Sequence, residues 1–241
     1  AGRYAWAVMS KTLAYAAWLI PEIADDPASV DEAMRLGYNW KFGPFELIDK
    51  LGPAWFAAKL RAEGQPVPAF LDRVGEGKFY RVNDGVRHQF SETQGYVPVE
   101  RAKGVLMLED IKRMSKPVET NRSASLWDIG DGVACLEFHS KMNSLNPFTL
   151  SMINKSIDIV GRDFKALVIY NEGSQFSVGA NVGLLLIPAF LRAWFLVGPL
   201  VAMGQKAYKR LKFAPFPVVS APSGLALGGG CEVLLHSDAV Q

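Results

Sequence analysis

A strand, a helix and a second strand follow one another in the middle of this chain. Val133–Phe138 and Lys165–Tyr170 are apolar runs of strand length. Between them, Asn146 and Pro147 have the capping and first-turn chemistry of a helix start, and apolar side chains then recur at helical spacing. Two strands joined by a helix lie parallel through a right-handed crossover. This part is therefore predicted to be an α/β domain with its ligand loops at the carboxyl ends of the strands.

Three consecutive glycines, Gly228 to Gly230, follow the apolar strand Pro217–Ala221 and precede Cys231 and Glu232. A glycine-rich turn between a strand and a helix leaves backbone amides unpaired at the helix N-terminus, where negative charge is also favoured. The pattern predicts an oxyanion-binding turn with Glu232 as an acid or base in the first helical turn. It also fits an ordinary flexible turn in which Glu232 is only a helix-start carboxylate, because short glycine motifs are common.

A second loop of the same kind, Phe176–Asn181, follows the strand Lys165–Tyr170, so two strand ends can each supply one amide. Its sequence, Phe-Ser-Val-Gly-Ala-Asn, together with Gly-Gly-Gly-Cys-Glu further along, resembles the crotonase, or enoyl-CoA hydratase/isomerase, family. The resemblance covers residues 121–241 and implies the family's spiral of βαβ units. Asn181 stands where the family usually has Asp, a change that concerns loop support more than chemistry.

The resemblance implies a site for an acyl-CoA thioester. The amides of Ala180 and Gly229 would form an oxyanion hole for the thioester carbonyl, and Glu232 would be one of the two catalytic glutamates of a hydratase. The family carries its second glutamate a short way beyond the first, and Ser237–Gln241 resembles the stretch that leads up to it. We therefore expect the crotonase-like domain to be truncated on its C-terminal side.

Further positions are implied to contact CoA and the substrate. Lys141–Asn146 resembles the family's loop that runs beside the adenine of CoA. The implied binding residues are Met142, Val178, Ala180 and Asn181. The apolar stretch 182–204 would border the acyl chain, although a buried core or a subunit contact explains it equally well.

The apolar stretch 182–204 is not predicted to span a membrane. Arg192 lies near its centre, and a charge at mid-membrane costs about 3 kcal/mol. Pro188 and Pro199 would each interrupt the hydrogen bonds of a spanning helix. We expect packed helices in this region.

The N-terminal part of the chain has helical character. Apolar residues with helical spacing run from Trp6 to Ile20, and Ser29 with Glu32 has the pattern of a capping box. The run Gly37–Glu46, Gly-Tyr-Asn-Trp-Lys-Phe-Gly-Pro-Phe-Glu, resembles the helical C-terminal domain of 3-hydroxyacyl-CoA dehydrogenases. The overall prediction is an α+β chain: an all-α module over 1–75, a linker with weak elements over 76–120, and the N-terminal part of an α/β crotonase-like domain over 121–241.

A dehydrogenase also needs a nucleotide-binding domain with a glycine-rich phosphate loop and a catalytic histidine. Gly75-Glu76-Gly77 is the nearest match to such a loop, but Tyr80 stands where the third glycine belongs and no clear strand precedes it. We therefore expect no cofactor in this chain. NAD is expected only for a nucleotide-binding domain that is absent here, and acyl-CoA is expected as substrate.

Composition limits the kinds of partner and ligand that we expect for this chain. The net charge of +2 gives no case for nucleic acid, and two cysteines are too few for a disulfide framework or a metal site. His88, His139 and His236 lack metal-ligand spacing, so no metal is expected. With no secretory signal in view, a cytoplasmic location fits best. The uncovered core of a truncated domain predicts a homo-oligomer.

A dehydrogenase helical domain followed by a hydratase-like domain resembles the bifunctional proteins of fatty-acid β-oxidation. The favoured hypothesis is a segment of a 3-hydroxyacyl-CoA dehydrogenase/enoyl-CoA hydratase, whose hydratase part adds water to trans-2-enoyl-CoA and which is incomplete for both activities in this chain. A Δ3,Δ2-enoyl-CoA isomerase or another crotonase remains an alternative, since it needs only one carboxylate. A catalytically incomplete segment for acyl-CoA binding or assembly is the third.

Overall fold

The computed structural model describes residues 2–241, apart from the side chains of Leu184 and Leu185. The chain forms two compact units, Ala1–Leu106 and Met107–Gln241. Each unit has its own hydrophobic core. The division between them falls inside the region that the sequence predicted to be a linker.

The first unit consists of helices followed by a small antiparallel sheet with the strand order β1-β2-β3. Within residues 2–106 the helices are α1 (Gly2–Trp18), α2 (Pro27–Tyr38), α3 (Pro44–Leu51), α4 (Pro53–Ala62) and α5 (Ala69–Val74), and the strands are β1 (Tyr80–Asn83), β2 (Val86–Ser91) and β3 (Gly95–Pro98). The helical character predicted for the N-terminal part is confirmed.

The three strands correct the linker prediction for residues 80–98. Phe79, next to β1, is fully buried in the aromatic core of the first unit, with its ring stacked 5.3 Å from that of Phe70. The carboxylate of Asp49 on α3 accepts hydrogen bonds from the N–H groups of Phe79 (2.7 Å) and Tyr80 (2.8 Å). The sheet is therefore fixed to the helices. Its strands are short and mostly solvent-facing, which is why they lack a strong alternating pattern.

The start of α2 differs from the predicted capping box of Ser29 and Glu32. Asp26 is the N-cap, and its carboxylate accepts a hydrogen bond from the N–H of Ser29 at 2.9 Å. Pro27 then occupies the first helical turn, where its missing N–H has no partner to lose. The Asp-Pro pair therefore starts the helix before Ser29 is reached.

A buried carboxylate joins α2, α3 and β1. Asp31 is 1% exposed and accepts hydrogen bonds from the N–H groups of Phe45 (2.8 Å) and Glu46 (3.1 Å) and from the hydroxyl of Tyr80 (2.9 Å). Burial raises the pKa of Asp31 to about 6, although these hydrogen bonds act in the opposite direction. A Cβ on Gly43 would overlap the Asp31 side chain at 2.3 Å, so glycine is required at the start of α3.

The second unit is an α/β arrangement. Its elements are α6 (Leu108–Met114), β4 (Glu119–Thr120), β5 (Ala124–Asp128), β6 (Val133–Phe138), a 3-10 turn (Lys141–Asn143), α7 (Pro147–Asp163), β7 (Ala166–Tyr170), β8 (Gln175–Ser177), α8 (Gly183–Phe190), α9 (Trp194–Lys212), β9 (Val218–Ala221), β10 (Leu225–Ala226), α10 (Gly229–Leu235) and β11 (Ala239–Val240). Within residues 107–241 the main sheet has the order β11-β9-β7-β6-β5-β4, and β8 pairs with β10 in a separate small sheet.

The predicted strand, helix, strand unit is confirmed. β6, β7, β9 and β11 run parallel, while β4 and β5 are antiparallel additions at one edge. Asn146 caps α7 by accepting hydrogen bonds from the N–H groups of Phe148 (2.9 Å) and Thr149 (3.1 Å). The apolar stripe of α7 is buried against this sheet, as its helical spacing predicted; its members are Leu150, Ile153, Ile157 and Val160.

The apolar stretch 182–204 forms α8 and the first half of α9. A turn at Arg192, with φ of 55°, separates the two helices, and Pro188 and Pro199 lie inside them. Over the described part of the chain, no helix has the length and apolar character needed to cross a membrane.

Candidate active site

Two loops leave neighbouring parallel strands of the main sheet and meet at one edge. β7 leads through β8 into the loop 178–182, and β9 leads through β10 into the glycine turn 227–230. β8 and β10 are themselves paired in parallel, with Gln175 opposite Leu225. Because parallel strands end at the same edge of a sheet, this topology brings the loops side by side.

The two loops can touch because glycines, which carry no side chain, lie where they meet. A Cβ on Gly179, whose φ is 83°, would lie 2.6 Å from the backbone N of Gly229 and 2.6 Å from the carbonyl oxygen of Leu227. A Cβ on Gly230 would lie 2.5 Å from the carbonyl oxygen of Ser177. Real Cβ atoms do not approach that closely, so any larger residue would force the loops apart.

The N–H groups of Ala180 and Gly229 lie in this contact. An ideal Cβ on Gly229 would stand 3.4 Å from the Ala180 N, so the two amides are near neighbours. Neither N–H donates a hydrogen bond within residues 2–241, whereas the next amide, that of Asn181, donates to the carbonyl of Leu145 at 2.9 Å. Gly229 is buried, and buried N–H groups without an acceptor are rare in native proteins. The pair can therefore receive an external oxygen.

A cavity of about 250 Å³ opens beside Ala180. Among the described residues that line it, Glu232 carries the only carboxylate. Glu232 lies in the first turn of α10, as predicted, and is exposed to solvent. The remaining lining residues are mostly apolar: Leu145, Asn146, Pro147, Leu150, Asn181, Leu200, Val201, Met203, Gly204, Gln205 and Tyr208. The site thus combines unpaired donors, one carboxylate and an apolar wall.

Tyr208 on α9 was missed from the sequence and lines the cavity together with Glu232. Its side chain is 9% exposed, and its hydroxyl lies 2.7 Å from the point where a Cβ of residue 229 would stand. Burial raises the pKa of Tyr208 to about 12, helped by the negative charge of Glu232 and a hydrogen bond to that carboxylate. A buried tyrosine usually finds a partner for its hydroxyl, which is the only signal that the sequence offers.

The implied CoA-binding residues lie on adjoining loops. Met142 has a φ of 57° and a side chain that is 51% exposed, and its carbonyl accepts a hydrogen bond from the N–H of Val178 at 3.3 Å. The Asn181 side chain accepts from the N–H of Gly183 at 3.2 Å, which matches its expected part in loop support. Ala180 and Asn181 line the cavity, while Met142 and Val178 lie outside its wall.

The histidines are held by local contacts. His236 Nδ1 lies 2.7 Å from the carbonyl oxygen of Glu232, and His139 Nε2 lies 2.9 Å from the hydroxyl of Ser125. Among the described residues, no group of three or more His, Cys, Asp or Glu side chains could hold a metal ion.

Comparison with known proteins bears on both units. Residues 4–69 match the family described as 3-hydroxyacyl-CoA dehydrogenase, C-terminal domain. The chain is 36% identical over 244 residues to a probable 3-hydroxyacyl-CoA dehydrogenase from Bacillus subtilis (strain 168), covering 100% of this chain and 31% of that protein. It is 29% identical over 233 residues to a putative fatty acid oxidation complex trifunctional enzyme from Rickettsia felis, covering 95% of this chain and 29% of that protein.

The chain spans less than a third of the length of these curated relatives. Among solved structures, a putative enoyl-CoA hydratase from Streptomyces coelicolor A3(2) aligns with 27% identity and a TM-score of 0.44, over 52% of this chain and 47% of that one. The N-terminal resemblance drawn from Gly37–Glu46 is confirmed by the family match. The family match, over residues 4–69, lies within the first unit.

Proposed function

We propose that the second unit binds an acyl-CoA thioester and adds water across the double bond of a trans-2-enoyl-CoA. The observation that carries this proposal is that Ala180 and Glu232 line one cavity, and that the N–H of Ala180 lies near that of Gly229, neither of which donates within residues 2–241. Two neighbouring donors suit a thioester oxygen, because its negative charge grows as a nucleophile adds to the conjugated double bond. The apolar wall of the cavity suits a hydrocarbon chain.

In the proposed reaction the thioester oxygen accepts hydrogen bonds from both amides. Glu232 takes a proton from a water molecule while the water oxygen forms a bond to C3 of the substrate. The electron pair of the C2–C3 double bond moves to the thioester carbonyl, and the amides stabilise the resulting enolate oxygen. Return of a proton to C2 then gives a 3-hydroxyacyl thioester.

The proton for C2 requires an acid. The family resemblance implies a second glutamate for this task, and we propose that it is supplied from outside these 241 residues. We also propose that the CoA moiety lies along Met142 and Val178, which support the same loop cluster, and against Asn181. The parent protein would then oxidise the 3-hydroxyacyl product with NAD bound in a separate domain, a proposal that follows from the family match of residues 4–69.

Isomerisation of a Δ3-enoyl-CoA is the second candidate. It is favoured by one observation: Glu232 is the only carboxylate among the described residues of the cavity wall. One carboxylate suffices for that reaction, because the same group can take a proton from C2 and return it to C4 while the amides stabilise the dienolate. The two candidates therefore share Ala180, Gly229 and Glu232 and differ in the need for a second acid.

The test is turnover by the full-length protein, followed by the ultraviolet absorbance of the conjugated enoyl thioester. With crotonyl-CoA, hydration removes the absorbance; with trans-3-hexenoyl-CoA, isomerisation creates it. Glu232→Gln should lower kcat by about 10² to 10⁴, since general acid–base catalysis contributes that much. Glu119→Gln removes an acid that pairs with Lys155 away from the cavity and serves as the matched control. A wild-type protein that turns over neither thioester would contradict both candidates.

A further inference from the structure

The carboxylate of Glu232 needs a fixed direction to move a proton. Its side chain projects from the first turn of α10 and is exposed, and within the described residues it has no ion pair. A glutamate has three rotatable side-chain bonds, so an exposed one samples many positions, only some of which reach a substrate carbon. Something in the site must select the productive one.

Tyr208 is placed to select the productive position of the Glu232 side chain. It comes from α9, a different element from Glu232, and both side chains line the same cavity. The ring of Tyr208 lies 5.5 Å from that of His236 at an interplanar angle of 31°, and His236 in turn contacts the carbonyl of Glu232. The phenol is thus held between α10 and the cavity. Its backbone sits on the buried face of α9 with Ala207 and Leu211.

We propose that Tyr208 is a positioning residue, which donates its hydroxyl to one oxygen of the Glu232 carboxylate and leaves the other oxygen free to exchange a proton with the substrate or with water. This inference rests on the function proposed above and extends it to a residue outside the two glycine-rich loops. An ionised carboxylate can only accept hydrogen bonds, so the direction of donation is fixed. The raised pKa of the phenol agrees with such a donor, which stays protonated at neutral pH.

The contact of the same hydroxyl with Gly229 adds a second consequence. Because the Tyr208 oxygen lies 2.7 Å from where a Cβ of residue 229 would be, the phenol fills the space that the glycine leaves. Tyr208 therefore lies next to one of the two proposed oxyanion donors and lines the same cavity as the Glu232 carboxylate. In this proposal, one side chain contacts both the acid–base group and the amide that would hold the thioester oxygen.

The experiment is a double-mutant cycle in the full-length protein, with wild type, Tyr208→Phe, Glu232→Gln and the double variant. Phenylalanine keeps the ring packing and removes only the hydroxyl. We expect Tyr208→Phe to lower kcat by about 10-fold to 100-fold, the effect of misplacing a catalytic group, with KM changed less than about two-fold. In the Glu232→Gln background the same change should alter kcat by less than about two-fold, because the group it acts through is gone. Tyr170→Phe, half-buried in the same unit, is the matched control.

Two results would overturn the inference. The first is a Tyr208→Phe variant with wild-type kcat, or one changed in KM alone, since Tyr208 would then be only a wall of the cavity. The second is an equal loss of kcat in both backgrounds, which would mean that Tyr208 acts independently of Glu232. If wild-type protein turns over no enoyl-CoA, the proposed function fails, but the inference about Tyr208 is not yet decided. The interaction of Tyr208 with Glu232 is then tested by the midpoint temperatures of thermal unfolding of the same four proteins. Non-additive midpoints would support the Tyr208–Glu232 contact, and strictly additive ones would overturn it.

Discussion

Substituting proline for Gly229 would remove one of the two proposed oxyanion donors. Gly229 is the first residue of α10, a position where the fixed φ of proline is compatible with a helix start. Its N–H donates no hydrogen bond to any described group, so no intramolecular bond is lost with it. The substitution therefore acts on the site more than on the helix.

The expected loss of kcat follows from the single amide donor that remains. With the Gly229 amide gone, the N–H of Ala180 is the one remaining member of the pair, and removing one such donor costs about 3 kcal/mol of transition-state stabilisation. That corresponds to a kcat about 10²-fold lower. Proline also adds a Cβ, which would stand 2.7 Å from the hydroxyl of Tyr208 and 3.0 Å from Cδ1 of Leu145. The phenol can give way because it is the far end of a side chain, but its shift would lower kcat as well.

Gly229→Ala separates the two effects. Alanine adds the same Cβ and keeps the N–H, so its kcat measures the displacement of Tyr208 alone. The ratio of kcat between the alanine and proline variants then isolates the amide, and we expect it to be about 10². Both variants would be assayed by crotonyl-CoA hydration in the full-length protein, with circular dichroism to verify folding. Equal kcat values for two folded variants would refute the assignment of Gly229 as an oxyanion donor.

Two further predictions concern the stability of the first unit and the assembly of the second. Asp31 titrates near pH 6 in the folded unit and near its usual 3.8 when unfolded, so the folded state holds more protons between these values and gains stability as the pH falls. Relative to Asp31→Asn, the wild-type free energy of unfolding should rise by about 2 kcal/mol from pH 7 to pH 4 in urea titrations, and a difference independent of pH would contradict this. Phe190 and Phe195 are 89% and 77% exposed, so replacing both by serine should reduce self-association in light scattering; a wild-type protein that is monomeric at high concentration would rule out the homo-oligomer.

The parts of the fold that the sequence predicted best are those with local signals. β6, α7 and β7 combine apolar strands, a cap and a helical stripe, and all three agree with one βαβ unit. The cap at Asn146 needed only its own side chain and the proline after it. Agreement between several local signals is what made this unit predictable.

The small sheet of the first unit and the start of α2 were predicted less well from the sequence. β1 to β3 are stabilised by contacts far apart in sequence, such as Asp49 with Tyr80, and their exposed side chains carry no alternating pattern. At α2, the cap is Asp26, three residues before the predicted Ser29. Asp26 prevails over Ser29 because the proline after it is pre-set for the first helical turn.

The candidate site also has one half that the sequence predicted and one half that it did not, for a physical reason. Its proposed oxyanion donors are backbone groups, which any residue can supply, so the sequence has to specify only the absence of Cβ atoms where the loops touch. A Cβ on Gly179 would stand 2.6 Å from the opposite loop and one on Gly230 2.5 Å from it, and that is why two glycine motifs sufficed to predict this half. The other half depends on Tyr208 and Glu232, which line one cavity from different helices. On α9, Tyr208 has the spacing of a core residue, so nothing local distinguishes a hydroxyl aimed at a carboxylate from one aimed elsewhere. Sites that combine backbone donors with a tyrosine from another element should therefore be recognised by their glycines and understood only once folded.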